Sequence, residues 1–177
     1  MELPRFGDAD KVEATPEEFK AMAHPLRLRI LRLCLYEALT NKQIADQLGK
    51  DPATTLHHVR MLHRTGFLEA EPPRSGNRGA LERPYRATGK SWVLSVPRPE
   101  DKHTVKLAAV DALRDELAET QDEDVLVETR LGFKLSREAA AELQVRLDEL
   151  VRELHGLGVD SEGDAYGFFV TLHRRPS

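Results

Sequence analysis

The sequence predicts an α+β chain, and three observations carry that expectation. Two cap-and-proline helix starts frame a pair of short amphipathic segments joined by a glycine turn. Two strand-like runs follow, separated by a loop rich in arginine and glycine. Beyond residue 97 the apolar residues recur first at helix spacing, then in strict alternation on either side of a second long helix.

The elements follow in chain order. Thr15-Pro16-Glu17-Glu18 reads as a cap and a proline at the first helical position, with Phe19 and Met22 as apolar anchors. AHPLRLRILRLCL opens the next helix at Pro25 and turns Leu26, Ile30, Leu33 and Cys34 inward. Arg27, Arg29 and Arg32 are expected on its exposed side or paired with Glu37 and Glu18. Thr40 and Gln43 form a T-x-x-Q capping box, Ile44, Ala45 and Leu48 give an apolar stripe, and Gly49 allows a sharp turn. Asp51 then caps a helix with Pro52 at its first position. Short helix, tight turn and second helix with a polar outer face is the layout of a helix-turn-helix. Phe67–Glu71 and Leu81–Ala87 read as two strands around Arg74-Ser75-Gly76-Asn77-Arg78-Gly79, which completes a winged helix.

The segment from Phe19 to about Thr88 resembles the DNA-binding domain of ArsR-type bacterial transcription regulators. The resemblance rests on AHPLRLRIL, on LGKDPATTLHHVRML and on the HRTGFLE that leads into the wing, and it spans roughly two fifths of the chain. It implies a dimeric repressor that releases a double-stranded DNA operator on receiving a signal.

Composition bounds the rest. A chain of 177 residues holds one domain or two small ones, and its net charge of −4 argues against indiscriminate nucleic-acid binding. The charge is uneven: residues 1–97 hold 15 Lys/Arg against 12 Asp/Glu, a balance of +3, and residues 98–177 hold 11 against 18, a balance of −7. This matches a DNA-contacting domain over 1–97 and a dimerisation or effector region over 98–177. One cysteine excludes an internal disulfide. The acidic N-terminus has neither the basic start nor the apolar stretch of a signal peptide, and no apolar run approaches the ~20 residues of a membrane span. A soluble cytoplasmic protein is expected.

The C-terminal region reads as a helix followed by a β-α-β unit. A break near Val96-Pro97-Arg98-Pro99 precedes a helix from Asp101 to about Thr120, with Leu107, Val110, Leu113 and Leu117 on one side, suited to packing against a twin. Val125, Val127, Thr129, Leu131 and Phe133 alternate with Glu128, Arg130 and Lys134, as in a half-buried strand. Ser136 caps a long helix with Leu143, Leu147, Leu150, Leu154 and Leu157 expected as core against its own sheet, and Tyr166, Phe168, Val170 and Leu172 alternate as a last strand. Two strands and one helix make a thin layer, which a second copy would complete. Tyr166, Phe168 and Phe133 admit two readings, ordinary core or the lining of a cavity for an apolar small-molecule effector.

In the recognition helix Thr55, Val59 and Leu62 follow the core-facing spacing, which leaves Ala53, Thr54, Leu56, His57 and Arg60 outward. Thr54 suits a base edge or phosphate, and Arg60 a guanine or the backbone. Leu56 is open to two readings, contact with a thymine methyl or packing under the wing. His57 is expected to face DNA and His58 to pack internally with a ring nitrogen bonded to backbone. Lys42, Arg74, Asn77, Arg78, Arg83 and Arg86 complete the expected contacts around the bracing helix and wing, with a solvated charged face as the bland alternative.

Metal sensing is not expected. LTNKQIADQLG lacks the paired cysteines of metal-sensing relatives, and Asp101-Lys102-His103 supplies only half of a second site, whose other half falls on Arg114 and Leu117. Asp101 is read instead as a helix cap, and Cys34 as buried packing. No Gly-rich phosphate loop, nucleophile elbow or spaced catalytic constellation is present, so an enzyme is not expected, nor a cofactor. The competing reading is a winged-helix protein-interaction module without DNA readout, mildly favoured by the negative net charge.

Overall fold

A computed structural model describes residues 11–76, 81–96, 98–157 and 163–174. The chain divides into two compact units, Met1–Glu119 and Thr120–Ser177.

The first unit begins with β1 (Val12–Glu13), α1 (Pro16–Met22), α2 (Pro25–Leu33), β2 (Leu39–Thr40), α3 (Asn41–Gln47) and α4 (Pro52–Arg64). The wing follows as β3 (Leu68–Ala70), β4 (Arg74–Ser75), β5 (Leu81–Glu82) and β6 (Pro84–Ala87); β7 (Leu94–Ser95) and α5 (Pro99–Leu117) close the unit. The helix starts are those the local residues dictate. Thr15 and Glu18 make a reciprocal capping box on α1, and Thr40 and Gln43 make another on α3. The Asp51 carboxylate accepts from the backbone N–H of Ala53 and of Thr54, both at 2.9 Å, at the start of α4. Between α3 and α4, Gly49 sits at φ +59° while the Lys50 N–H reaches back to the Ala45 carbonyl at 2.9 Å, a left-handed helix stop that favours glycine.

The wing is antiparallel. β6 lies between β2 and β3, with Leu39 opposite Tyr85 and Leu68 opposite Ala87, and β4 pairs with β5 nearer the tip. Parallel pairing of β1 with β7 ties the start of the described chain to the segment after the wing. Ile30, Ile44, Val59, Leu62 and Phe67 form the centre of a core shared by α2, α3, α4 and the sheet. Cys34 packs there fully buried, and burial pushes its thiol up to about 12.

Several expectations change. Arg27 and Arg29 are buried at 7% and 6% exposure rather than facing solvent. Their long stems line α2 while their heads find partners: Arg27 at the carbonyl end of α1, Arg29 on the Glu119 carboxylate. Arg32 pairs with Glu116 at 3.2 Å, and Glu18 takes Lys90 instead of an arginine. Asp101 does not cap α5. The helix starts two residues earlier at Pro99, and Asp101, in its first turn, holds Arg98 at 2.6 Å. The compact division falls after Glu119 rather than near residue 97, because Ala108 and Ala112 of α5 are buried in the first unit and Arg29 and Arg32 clasp the helix's far end. On α5, Leu107, Val110 and Leu117 are exposed and Leu113 is half-buried.

The second unit holds α6 (Arg137–Gly156), capped by the Ser136 hydroxyl, which accepts from the Ala139 N–H at 3.1 Å. The expected strands on either side do not form: residues 126–135 and 164–174 belong to no strand or helix. An alternating segment becomes a strand only when another backbone takes its N–H and C=O groups, and these two do not pair with each other. The leucine seam of α6 is therefore not core against a sheet, and no described residue of the helix is buried. Tyr166, Phe168 and Phe133 are each more than half exposed, so they do not line an effector cavity. No described helix is long and apolar enough to cross a membrane.

Candidate nucleic-acid interface

α4 divides its side chains as its period requires. Thr55, Val59 and Leu62 are fully buried, and the Thr55 hydroxyl donates to the Asp51 carbonyl at 3.1 Å. Thr54, His57 and Arg60 are exposed, and Leu56 is half-buried. The outward face of α4 is thus polar except for Ala53 in its first turn and one leucine.

That leucine meets the bracing helix and the wing. Leu56, Thr40, Asn41, Lys42, Arg83 and Tyr85 line a cleft of about 340 Å³, together with Glu82. Of the expected contact residues, the fold therefore brings Lys42, Leu56 and Arg83 together from three separate elements. Leu56 remains only partly covered, so it keeps an apolar surface available for contact. Lys42 is exposed and lies 2.5 Å from Asp46, one helical turn on, a solvated pair that a phosphate can displace. Asn41 donates from Nδ2 to the Pro52 carbonyl at 3.0 Å, tying the start of α3 to the start of α4, while its Oδ1 is buried without a partner.

One side chain of α3 ties β4 of the wing to the bracing helix. Gln43 Oε1 accepts from the Thr40 N–H at 2.9 Å and from Arg74 Nη2 at 3.2 Å. The capping box of α3 thereby holds β4, and Arg74 stays exposed. Asn77 and Arg78 lie outside the described residues. Arg86 differs from its expected role: it donates to Glu71 at 2.5 Å and to the Tyr36 carbonyl at 2.9 Å, which makes it a brace inside the domain.

Behind α4 sits a cationic and imidazole cluster. Arg27 Nε donates to the Ala21 carbonyl at 2.7 Å, one Nη reaches the Lys20 carbonyl, and the other lies 3.4 Å from His58 Nδ1. His58 is buried as expected, but its ring nitrogen meets this guanidinium rather than backbone. The His24 ring lies tilted against it at 4.6 Å and the His57 ring meets it edge-on at 5.6 Å. Burial, with the neighbouring His24, Arg27 and His57, drives the His58 imidazole down to about 4, and burial lowers His24 too. Both rings are neutral near pH 7.

Sequence reasoning missed Asn41, Tyr85, Gln43 as wing anchor, and Arg27. Tyr85 alone had a legible signal, its place in an alternating strand that returns beside the helices. The others depend on partners distant in the chain.

A family model described as a helix-turn-helix domain matches residues 22–71, which spans α2 through the first wing strand. No curated protein matches the chain. One solved structure that matches is titled as the crystal structure of the transcriptional regulator SlyA, at 15% identity over 76% of each chain with a TM-score of 0.31. The helix-turn-helix match and the winged architecture define the class: a winged helix-turn-helix protein of the kind found in DNA-binding transcription regulators.

Proposed function

We propose that this protein is a homodimeric, sequence-specific transcription repressor of the ArsR type, neither an enzyme nor metal-responsive, acting on a near-palindromic operator in the cytoplasm. The supporting observation is the exposed face where Leu56 of α4, Lys42 of α3 and Arg83 of the wing meet in one cleft, beside the exposed Thr54, His57 and Arg60. One polar helix face flanked by cations on both sides is what major-groove entry needs: side chains for base edges, positive charge for the phosphates beside them. The outward stripe of α5 supports a dimer that sets two recognition helices about one DNA turn apart. Release by an effector of unstated chemistry follows from the family likeness alone.

Gel-shift titration against the chain's own promoter region, and against random DNA, tests this. Tight binding to one fragment that weakens steeply with salt is expected. Arg60→Ala should erode discrimination at a defined base by about 1–3 kcal/mol. The same weak affinity for operator candidates and random DNA, unchanged in Arg60→Ala and His57→Ala, would instead favour the protein-docking module that the net charge of −4 also suits.

A further inference from the structure

Among the described residues of the second unit none is buried. Val127 is 84% exposed, Leu131 75% and Tyr166 70%, and the leucine-bearing face of α6 is only partly covered, although apolar residues recur along all three segments. Such a surface in an isolated unit of this size calls for a cover. The pattern over Val125–Phe133 says which one. Val125, Val127, Thr129, Leu131 and Phe133 share one side, while Leu126, Glu128, Arg130 and Gly132 share the other.

We infer that this segment pairs antiparallel with the same segment of a second copy, about a two-fold axis at Thr129. Only pairing centred on a residue, rather than between residues, keeps the apolar side continuous across both strands. Centring on Glu128 or Arg130 sets like charges against each other. Centring on Thr129 sets Glu128 opposite the partner's Arg130, twice per dimer, and puts Val127 opposite Leu131, Val125 opposite Phe133, and Thr129 opposite itself. Unlike charges, apolar pairs and Thr–Thr are the combinations that favour cross-strand pairing. Centring on Leu131 also pairs unlike charges, Glu128 with Lys134, but it leaves Arg130 facing Gly132, sets Thr129 against Phe133 and gains no Thr pair. The shared strand satisfies backbone groups that one chain leaves unpaired and gives the apolar side of α6 a sheet to cover.

The inference takes only the homodimer from the proposed function, so it is tested on the full chain without DNA. In sedimentation equilibrium, Glu128→Arg and Arg130→Glu should each raise the dimer dissociation constant about tenfold, because each sets two like-charged pairs face to face. The double exchange should return to within about threefold of the parent. Thr129→Cys should give a disulfide-linked dimer under mild oxidant, since residues facing themselves across a two-fold lie within reach of a disulfide and Cys34 is fully buried. An unlinked Thr129→Cys, a linked Leu131→Cys in its place, or a double exchange no better than the single variants would each overturn the pairing. A dimer that passes these tests yet binds no specific DNA defeats the repressor reading and leaves the pairing standing. Operator binding with no effect of any of these changes defeats the pairing alone.

Discussion

Arg27 ties the recognition helix to the two helices that precede the turn motif. Its guanidinium meets two carbonyls at the end of α1 and the His58 imidazole of α4, so one side chain joins two helices to α2. The carbonyl end of a helix carries partial negative charge, which offsets part of the cost of burying the cation. Arg27→Ala leaves those carbonyls without their donor, and urea unfolding should show a loss of about 2–4 kcal/mol. Arg27→Lys should recover little, because an ammonium cannot reach three acceptors in a planar fork. Equal midpoints for parent and Arg27→Ala would refute this role. His58 gives a second prediction. Its folded-state value near 4 lies below the ordinary 6.5, so between those limits the unfolded chain binds a proton that the native state refuses. Stability is therefore full above about pH 6.5 and falls as pH drops toward 4, by on the order of 1–3 kcal/mol. The drop should shrink in His58→Gln, and an unchanged pH slope in that variant would show that His58 does not carry it.

At the scale of elements, what the residues dictate locally is what the sequence makes legible. Thr15, Thr40, Asp51 and Ser136 each cap the helix expected of them, because a cap is settled within three residues of chain. The inward set Thr55, Val59 and Leu62 is equally legible from period alone. Burial of Arg29 is not, since its carboxylate partner lies 90 positions away, and the same distance hides the docking of α5 on the first unit. The alternation at Val125–Phe133 was readable as strand chemistry, but a ladder needs a second backbone that no local pattern supplies. Within the candidate interface, outward residues of α4 could be named from spacing, whereas the Gln43–Arg74 tie could not. Asp51 offers the test at this scale: its carboxylate holds two N–H groups at the start of the recognition helix, so Asp51→Ala should cost about 1 kcal/mol of stability. Asp51→Ser should recover most of it, and thermal melts of the three proteins decide the matter.

For the whole molecule the question is how an acidic chain would hold a polyanion. Through Glu119 the chain carries 19 Lys/Arg against 18 Asp/Glu, and from Thr120 onward 7 against 12, so neither unit is strongly basic. Attraction has to come from where the cations stand, not from their sum. Lys42, Arg74 and Arg83 are exposed on the recognition side, while Arg27, Arg29 and Arg86 are spent on internal partners. The two groups should separate cleanly in a salt titration of operator binding. Each phosphate contact contributes about 0.9 to the slope of log affinity against log salt, and a homodimer presents each residue twice. Lys42→Ala and Arg83→Ala should therefore each flatten the slope by about two units while leaving the melting temperature nearly unchanged. Arg86→Ala should do the reverse. It removes the tie between Glu71 and the Tyr36 carbonyl, so the melt should fall by several degrees while the slope holds. A slope that moves with Arg86 but not with Lys42 or Arg83 would place the phosphates on a different face of the molecule, and the interface would have to be redrawn around that face.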